Sequence, residues 1–118
     1  MSFLAQLQAR VTAQPHAPAL EDGALTWSYA ELWAAAGGVT RALVAQGVLP
    51  GDVVAVEAPR SAGWVAQIIG AWMAGAAWLP LDPAWPDARR AELITRAGAH
   101  PPLRALPEPA DPEPHRFP

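Results

Sequence analysis

The stretch GDVVAVEAPRSAGWVAQIIGAWMAGAAWLPLDP, residues 51–83, decides the fold. Gly51-Asp52 reads as a turn, and Val53-Val-Ala-Val-Glu-Ala58 is a β-branched run closed by Pro59, the pattern of a mostly buried strand. Ser61 is placed to cap a helix from Ala62 to about Ala74. In that helix Trp64, Val65, Ile68, Ile69, Trp72 and Met73 put apolar groups on most faces, so it belongs inside a domain. Gly75 ends it, and Ala76 to Leu81 supply a second strand. The same stretch holds 21 uncharged residues, Ser61 to Leu81, a length that would cross a bilayer. Its Ala and Gly content, Gln67, Gly75 and Pro80 favour a buried helix followed by a buried strand instead.

Upstream, Phe3, Leu4, Leu7 and Val11 recur at helical spacing, which predicts a short surface helix over Phe3–Ala13. After the Pro15-His-Ala-Pro18 break, Asp22-Gly23 separates two short apolar runs between Ala19 and Trp27, the signature of a tight hairpin. Ser28 and Glu31 form a capping box, and Trp27 with Leu32 a hydrophobic staple, so a helix starts at Tyr29. Leu32, Ala36, Val39 and Leu43 are its apolar stripe, and Gly47 followed by Pro50 marks its end. Downstream, Asp87–Ala97 reads as a further helix with Pro86 at its first position. Strands alternating with helices predict an α/β fold with a mainly parallel sheet and one N-terminal hairpin.

From Pro101 the composition changes, and half of the 14 prolines fall among the last 18 residues. Residues 1–99 are expected to form the domain and residues 100–118 a proline-rich, extended and disordered tail, the alternative for that tail being a docking peptide.

Composition excludes several chemistries. Eight arginines against 11 carboxylates give a net charge of −3, without the basic patch that nucleic-acid phosphates require. The absence of cysteine rules out disulfides and thiolate metal sites. The chain has no lysine, which removes Schiff-base, P-loop and lysine general-base chemistry. Gly70 and Gly75 have the separation of the first two P-loop glycines, but Ala76 and Ala77 follow where Lys and Ser or Thr are needed. His16, His100 and His115 lack metal-ligand spacing and read as solvated loop residues. Glu21, Asp22 and Glu57 are explained by turn and strand-end positions. Of the six tryptophans, Trp64, Trp72 and Trp78 read as core and Trp27 as the staple. Trp33 and Trp85 are left open to partial exposure at an interface.

Several motifs in order carry a resemblance. Leu25-Thr-Trp-Ser-Tyr-Ala-Glu-Leu32 resembles the first core motif of amino-acid adenylation domains, and Gly51-Asp-Val-Val-Ala-Val resembles their "GDxVAV" strand. Ala74-Gly-Ala-Ala-Trp-Leu-Pro-Leu-Asp-Pro83, preceded by Arg60-Ser61 and the apolar helix, is similar to the second core motif. Pro86, Arg89, Ala97 and Gly98 fit the helix that follows. Over roughly Phe3 to Ala99 the chain is identified as resembling the N-terminal part of an adenylation domain of nonribosomal peptide synthetases, in the adenylate-forming ligase superfamily.

Met73 replaces a usual lysine, Arg90 a usually apolar residue, and Arg96 a usually acidic one. His100-Pro-Pro-Leu-Arg stands where an apolar strand is expected. In the family, the phosphate-binding loop, the substrate pocket, the magnesium and ribose carboxylates and the catalytic lysine lie downstream of this region. The resemblance therefore implies a truncated, catalytically inactive scaffold. No catalytic, cofactor-binding or metal residue is assigned, and no cofactor is expected in this chain, although full-length relatives use ATP and magnesium. Three readings stay open: a silent fragment linked to nonribosomal peptide biosynthesis, one half of a split ligase completed in trans, or a docking module. The expected partners are a complementary adenylation fragment or a synthetase module, with self-association through uncovered surfaces. Nucleic acid and membrane are not expected, and the address is cytoplasmic.

Overall fold

A computed structural model describes residues 2–110. The elements run α1 Phe3–Ala13, β1 Pro18–Asp22, β2 Leu25–Ser28, α2 Tyr29–Ala45, β3 Val53–Glu57, α3 Ala62–Met73, β4 Ala77–Leu81 and α4 Asp87–Ala97. β1 and β2 form the expected antiparallel hairpin around Gly23, whose φ of 61° the turn requires. β3 and β4 pair in parallel, with Val53 opposite Ala77 and Glu57 opposite Leu81, and α3 is the crossover between them.

Local chemistry explains the helix boundaries. Ser28 Oγ accepts from Glu31 N at 3.1 Å, and Glu31 Oε1 accepts from Ser28 N at 2.9 Å, completing the capping box. Ser61 Oγ accepts from Trp64 N at the start of α3, while Asp22 Oδ2, from the hairpin, accepts from Ala62 N at 3.1 Å. The latter bond links two elements that are 40 residues apart in sequence. Pro86 is the cap of α4 and not its first helical residue, a shift of one position.

The centre of the molecule is the crossing of α2 and α3. Gly70 lies so close to α2 that a Cβ there would fall 2.5 Å from Val39 Cβ and 2.8 Å from Ala36 O. Thr40 Oγ1 lies within hydrogen-bonding distance of Gly70 O at 2.9 Å and of Ala36 O at 3.1 Å, which allows a hydroxyl to be buried at this contact. On one side, Leu7, Val11, Leu32, Trp33, Ala36, Ile69 and Met73 bury together, closing α1 and the hairpin over the crossing. On the other side, Val39, Leu43, Val48, Val54, Ala71 and Ala76 bury together, seating β3. The predicted stripe of α2 is buried, but so are Trp33, Ala34, Ala35, Gly37, Gly38 and Thr40, so the helix is enclosed on most sides.

Two tryptophan readings change. Trp33, left open to exposure, is fully buried between α1 and α3, whereas Trp72, read as core, is 39 % exposed and stacks edge-on against Phe3. Trp64 and Trp78, also read as core, are only partly buried and meet edge-to-face across α3 and β4.

α4 packs along β4, and its Arg90 meets Glu57 at the end of β3. The uncharged stretch 61–81 is divided into a 12-residue helix and a strand, and among the described residues no helix is long and apolar enough to cross a membrane.

His100, assigned by composition to the tail, joins the sheet. His100 N donates to Val53 O at 2.8 Å, and Ala55 N donates to His100 O at 3.0 Å, an isolated parallel bridge on the free side of β3. The next ladder bond would need the amide hydrogen of residue 102, and Pro102 has none, so the strand stops after one residue. The chain then crosses to α2, where Ala110 N donates to Ala34 O at 2.8 Å and the backbone of Glu108 presses on Gly38. Residues 101–110 lack helix and strand and end against the domain. The remainder of the predicted tail, 111–118 and with it His115, lies outside the described residues.

Gly70→Ala is expected to force α2 and α3 apart and to destabilise the chain by about 1–3 kcal/mol, the usual range for overpacking a tight contact. Thermal unfolding followed by near-ultraviolet circular dichroism measures it, and an unchanged midpoint would contradict this account of the crossing.

Candidate functional site

In open parallel sheets ligands gather outside the carboxyl ends of the strands. Here that end is formed by Glu57 of β3, Leu81 of β4, and the loops that lead to α3 and α4. Glu57 is held by Arg90 Nη1 at 2.5 Å, with the two side chains 23 % and 20 % exposed. Arg90 Nη2 also pairs with Asp87, and Arg90 Nε donates to Trp85 O at 3.0 Å. Hydrogen bonding to Glu57 pushes the Arg90 pKa above its ordinary value, so this cation stays charged at every accessible pH. One guanidinium therefore ties the end of β3 to the first turn of α4 and to the loop before it.

Two concavities flank this cluster. A groove of about 570 Å³ runs between α4 and residues 101–104, lined by Glu57, Arg90, Ile94 and Leu103 among others. A cleft of about 450 Å³ opens between the loops after β3 and β4, lined by Pro59, Arg60, Trp64, Leu81, Pro83 and Trp85 among others.

At the opposite end of β3, Asp52 Oδ2 accepts from Leu49 N at 2.9 Å and lies 2.8 Å from His100 Nε2. The backbone bond from Leu49, followed by the bond to His100, lowers the Asp52 pKa below its usual 3.8. His100 is therefore a partly buried structural group and not the solvated loop residue its proline-rich surroundings predict.

The sequence gives no local signal for either ion pair, because Glu57 and Arg90 are 33 residues apart and Asp52 and His100 are 48. Of the acids noted in the sequence, Asp22 caps α3, Glu57 binds Arg90, and Glu21 is exposed on the hairpin. They do not come together as an acid–base pair. Ser28 and Ser61 are occupied as helix caps. Gly70 is buried within α3 and Gly75 ends it at a φ of 77°, so the two do not build a phosphate-binding loop.

The donor set does not fit an ATP–magnesium centre. There is no lysine, and among the described residues no group of three His, Asp or Glu is placed to hold a metal ion. What the arrangement does is fix the geometry of a parallel strand pair and its covering helices.

A family model described as AMP-binding enzyme matches residues 7–110. The chain is 49% identical over 96 residues to the probable non-canonical nonribosomal peptide synthetase CymA of Salinispora arenicola, covering 80% of this chain and 1% of that protein. It is 43% identical over 97 residues to enterobactin synthase component F of Escherichia coli, covering 82% of this chain and 7% of that one. It superposes with a TM-score of 0.76 and 34% identity on the crystal structure of a nonribosomal peptide synthetase bound to α-methyl-L-serine-AMP, covering 81% of this chain and 11% of the other. The chain thus spans only a small part of the length of these relatives.

Two outcomes test the ion pairs. Arg90→Ala is expected to speed hydrogen exchange throughout α4 while leaving the amides of α2 protected, and uniform protection in the variant would contradict the anchoring role of Arg90. Because the folded-state pKa of Asp52 is depressed, its contribution to stability is complete above about 3.8 and is lost as pH falls through the lower folded value. Asp52→Asn should therefore melt below wild type at pH 6, with the difference shrinking as pH drops below 3.8, and a pH-independent difference would exclude this linkage.

Proposed function

Because the chain belongs to the AMP-binding enzyme family, as its match over residues 7–110 establishes, we propose that it is scaffold of an amino-acid adenylation domain used in nonribosomal peptide assembly, catalytically silent by itself. The observation that carries the reading is the state of its chemical groups. Asp52, Glu57, Asp82 and His100, at the ends of β3 and β4, are each engaged by a side-chain partner or a turn amide, and lysine is absent. What the segment contributes is a rigid parallel β3–β4 pair, backed by α2 and α3, on which strands and loops carrying nucleotide chemistry would be built.

A second reading, completion in trans by another polypeptide, is favoured by the free side of β3. Among the described residues only His100 pairs there, and the 570 Å³ groove between α4 and residues 101–104 lies alongside. In that reading the partner is a complementary adenylation fragment, and ATP and magnesium are bound by the partner's residues.

Amino-acid-dependent exchange of pyrophosphate into ATP tests both readings. The purified chain alone is expected to give no exchange with any of the proteinogenic amino acids, and exchange by the chain alone would overturn the scaffold reading. Exchange that appears only when a polypeptide carrying the remainder of an adenylation domain is added would establish completion in trans.

A further inference from the structure

The cleft between the loops after β3 and β4 has a chemical character that scaffold duty does not explain. Arg60 lies over the ring of Trp64, its guanidinium carbon 5.7 Å from the centroid, and Arg89 lies over Trp85 at 5.0 Å. Both arginines are exposed, and among the described residues neither has an ion-pair partner. Stacking on an indole holds a guanidinium flat and lowers its hydration, leaving its fork of N–H donors directed outward at reduced entropic cost.

Arg60 itself lines the cleft, and Arg89 stacks on Trp85, which lines it. Glu57 and Asp87 are committed to Arg90. Asp82, which also lines the cleft, accepts from Ala84 N at 2.9 Å in its own turn and is the one remaining acid of the lining. Within the lining, the Arg60 guanidinium thus stands beside a carboxylate already engaged by a backbone amide. Pro59, Pro80, Leu81 and Pro83 complete an apolar lining. Three of them are prolines, whose fixed backbone keeps the cleft open without a bound ligand.

We propose that this 450 Å³ cleft is a binding site for a small organic anion that carries a flat ring, its carboxylate or phosphate taken by Arg60 with support from Arg89, its ring lying against the proline and indole walls. The site lies where ligands of parallel sheets gather, and it uses residues that the scaffold reading leaves idle. It does not depend on whether the chain acts alone or is completed by a partner.

The test is titration of the ¹⁵N-labelled full chain, reading the indole N–H signals assigned through Trp64→Phe and Trp85→Phe. Phenyl phosphate and benzoate are the two probes, and phenol and inorganic phosphate are their controls. Saturable shifts of the Trp64 and Trp85 signals are expected with at least one probe, with each control binding at least about tenfold more weakly. The stronger of the two probes tells whether the natural anion is a phosphate or a carboxylate. Arg60→Ala, an exposed change, should weaken binding by at least about tenfold while leaving the other indole signals in place. Absence of saturable shifts, equal binding of phenol or of inorganic phosphate, or unchanged affinity in Arg60→Ala would each overturn the proposal.

Discussion

The contact between Gly70 and the Ala36–Val39 turn of α2 is the constraint on which the rest of the structure rests. With no side chain at position 70, two helices approach until backbone meets side chain, and the Thr40 hydroxyl can reach the Gly70 carbonyl across the gap. That approach fixes the relative setting of α2 and α3. The setting in turn decides where the two buried clusters can form, one beneath α1 and the hairpin and one beneath β3. Neither cluster is large, so the placement of the helices matters more than the area buried by any single residue.

Within this arrangement the ionic groups hold edges and ends. Arg90 fastens α4, a helix with no fully buried residue, to the end of β3. Asp52 fastens His100 to the other end of the same strand, so a five-residue strand is clasped at both ends by polar side chains from distant segments. These pairs consume the acids and the histidine that in another setting would perform proton transfer. The family relationship and this commitment of polar groups are the two supports of the scaffold proposal.

Much of the fold was legible in the sequence because the decisive signals are local. The Ser28–Glu31 capping box, the Asp22-Gly23 turn and the strand–helix–strand order over 53–81 each rest on residues within a few positions of one another. What escaped depends on tertiary placement. Trp33 and Trp72 have similar helical surroundings in sequence. One is buried because α1 folds over it, whereas the other lies beyond the reach of α1 except for the ring of Phe3. His100 was read as tail because composition averages over a window, and a single ladder residue beside two prolines disappears in that average. The arginine–indole pairs at the strand ends were equally hidden. Arg60–Trp64 and Arg89–Trp85 are near in sequence, but their meaning comes from the cleft that both loops enclose.

The sheet also shows how its own growth is limited. Ala77 N donates to Asp52 O, and the alternation of a parallel ladder then turns the amides of residues 79 and 81 toward β3 and those of 78 and 80 outward. Position 80 is proline, so the outer edge of β4 lacks a donor at that point, just as Pro102 ends the ladder on the far side of β3. An incoming strand would meet a broken row of hydrogen bonds on the outer flank of β4, a device that proteins use against cross-β stacking. Copies of this chain therefore find no continuous backbone template along β4, and a contact between them there would have to rest on side chains.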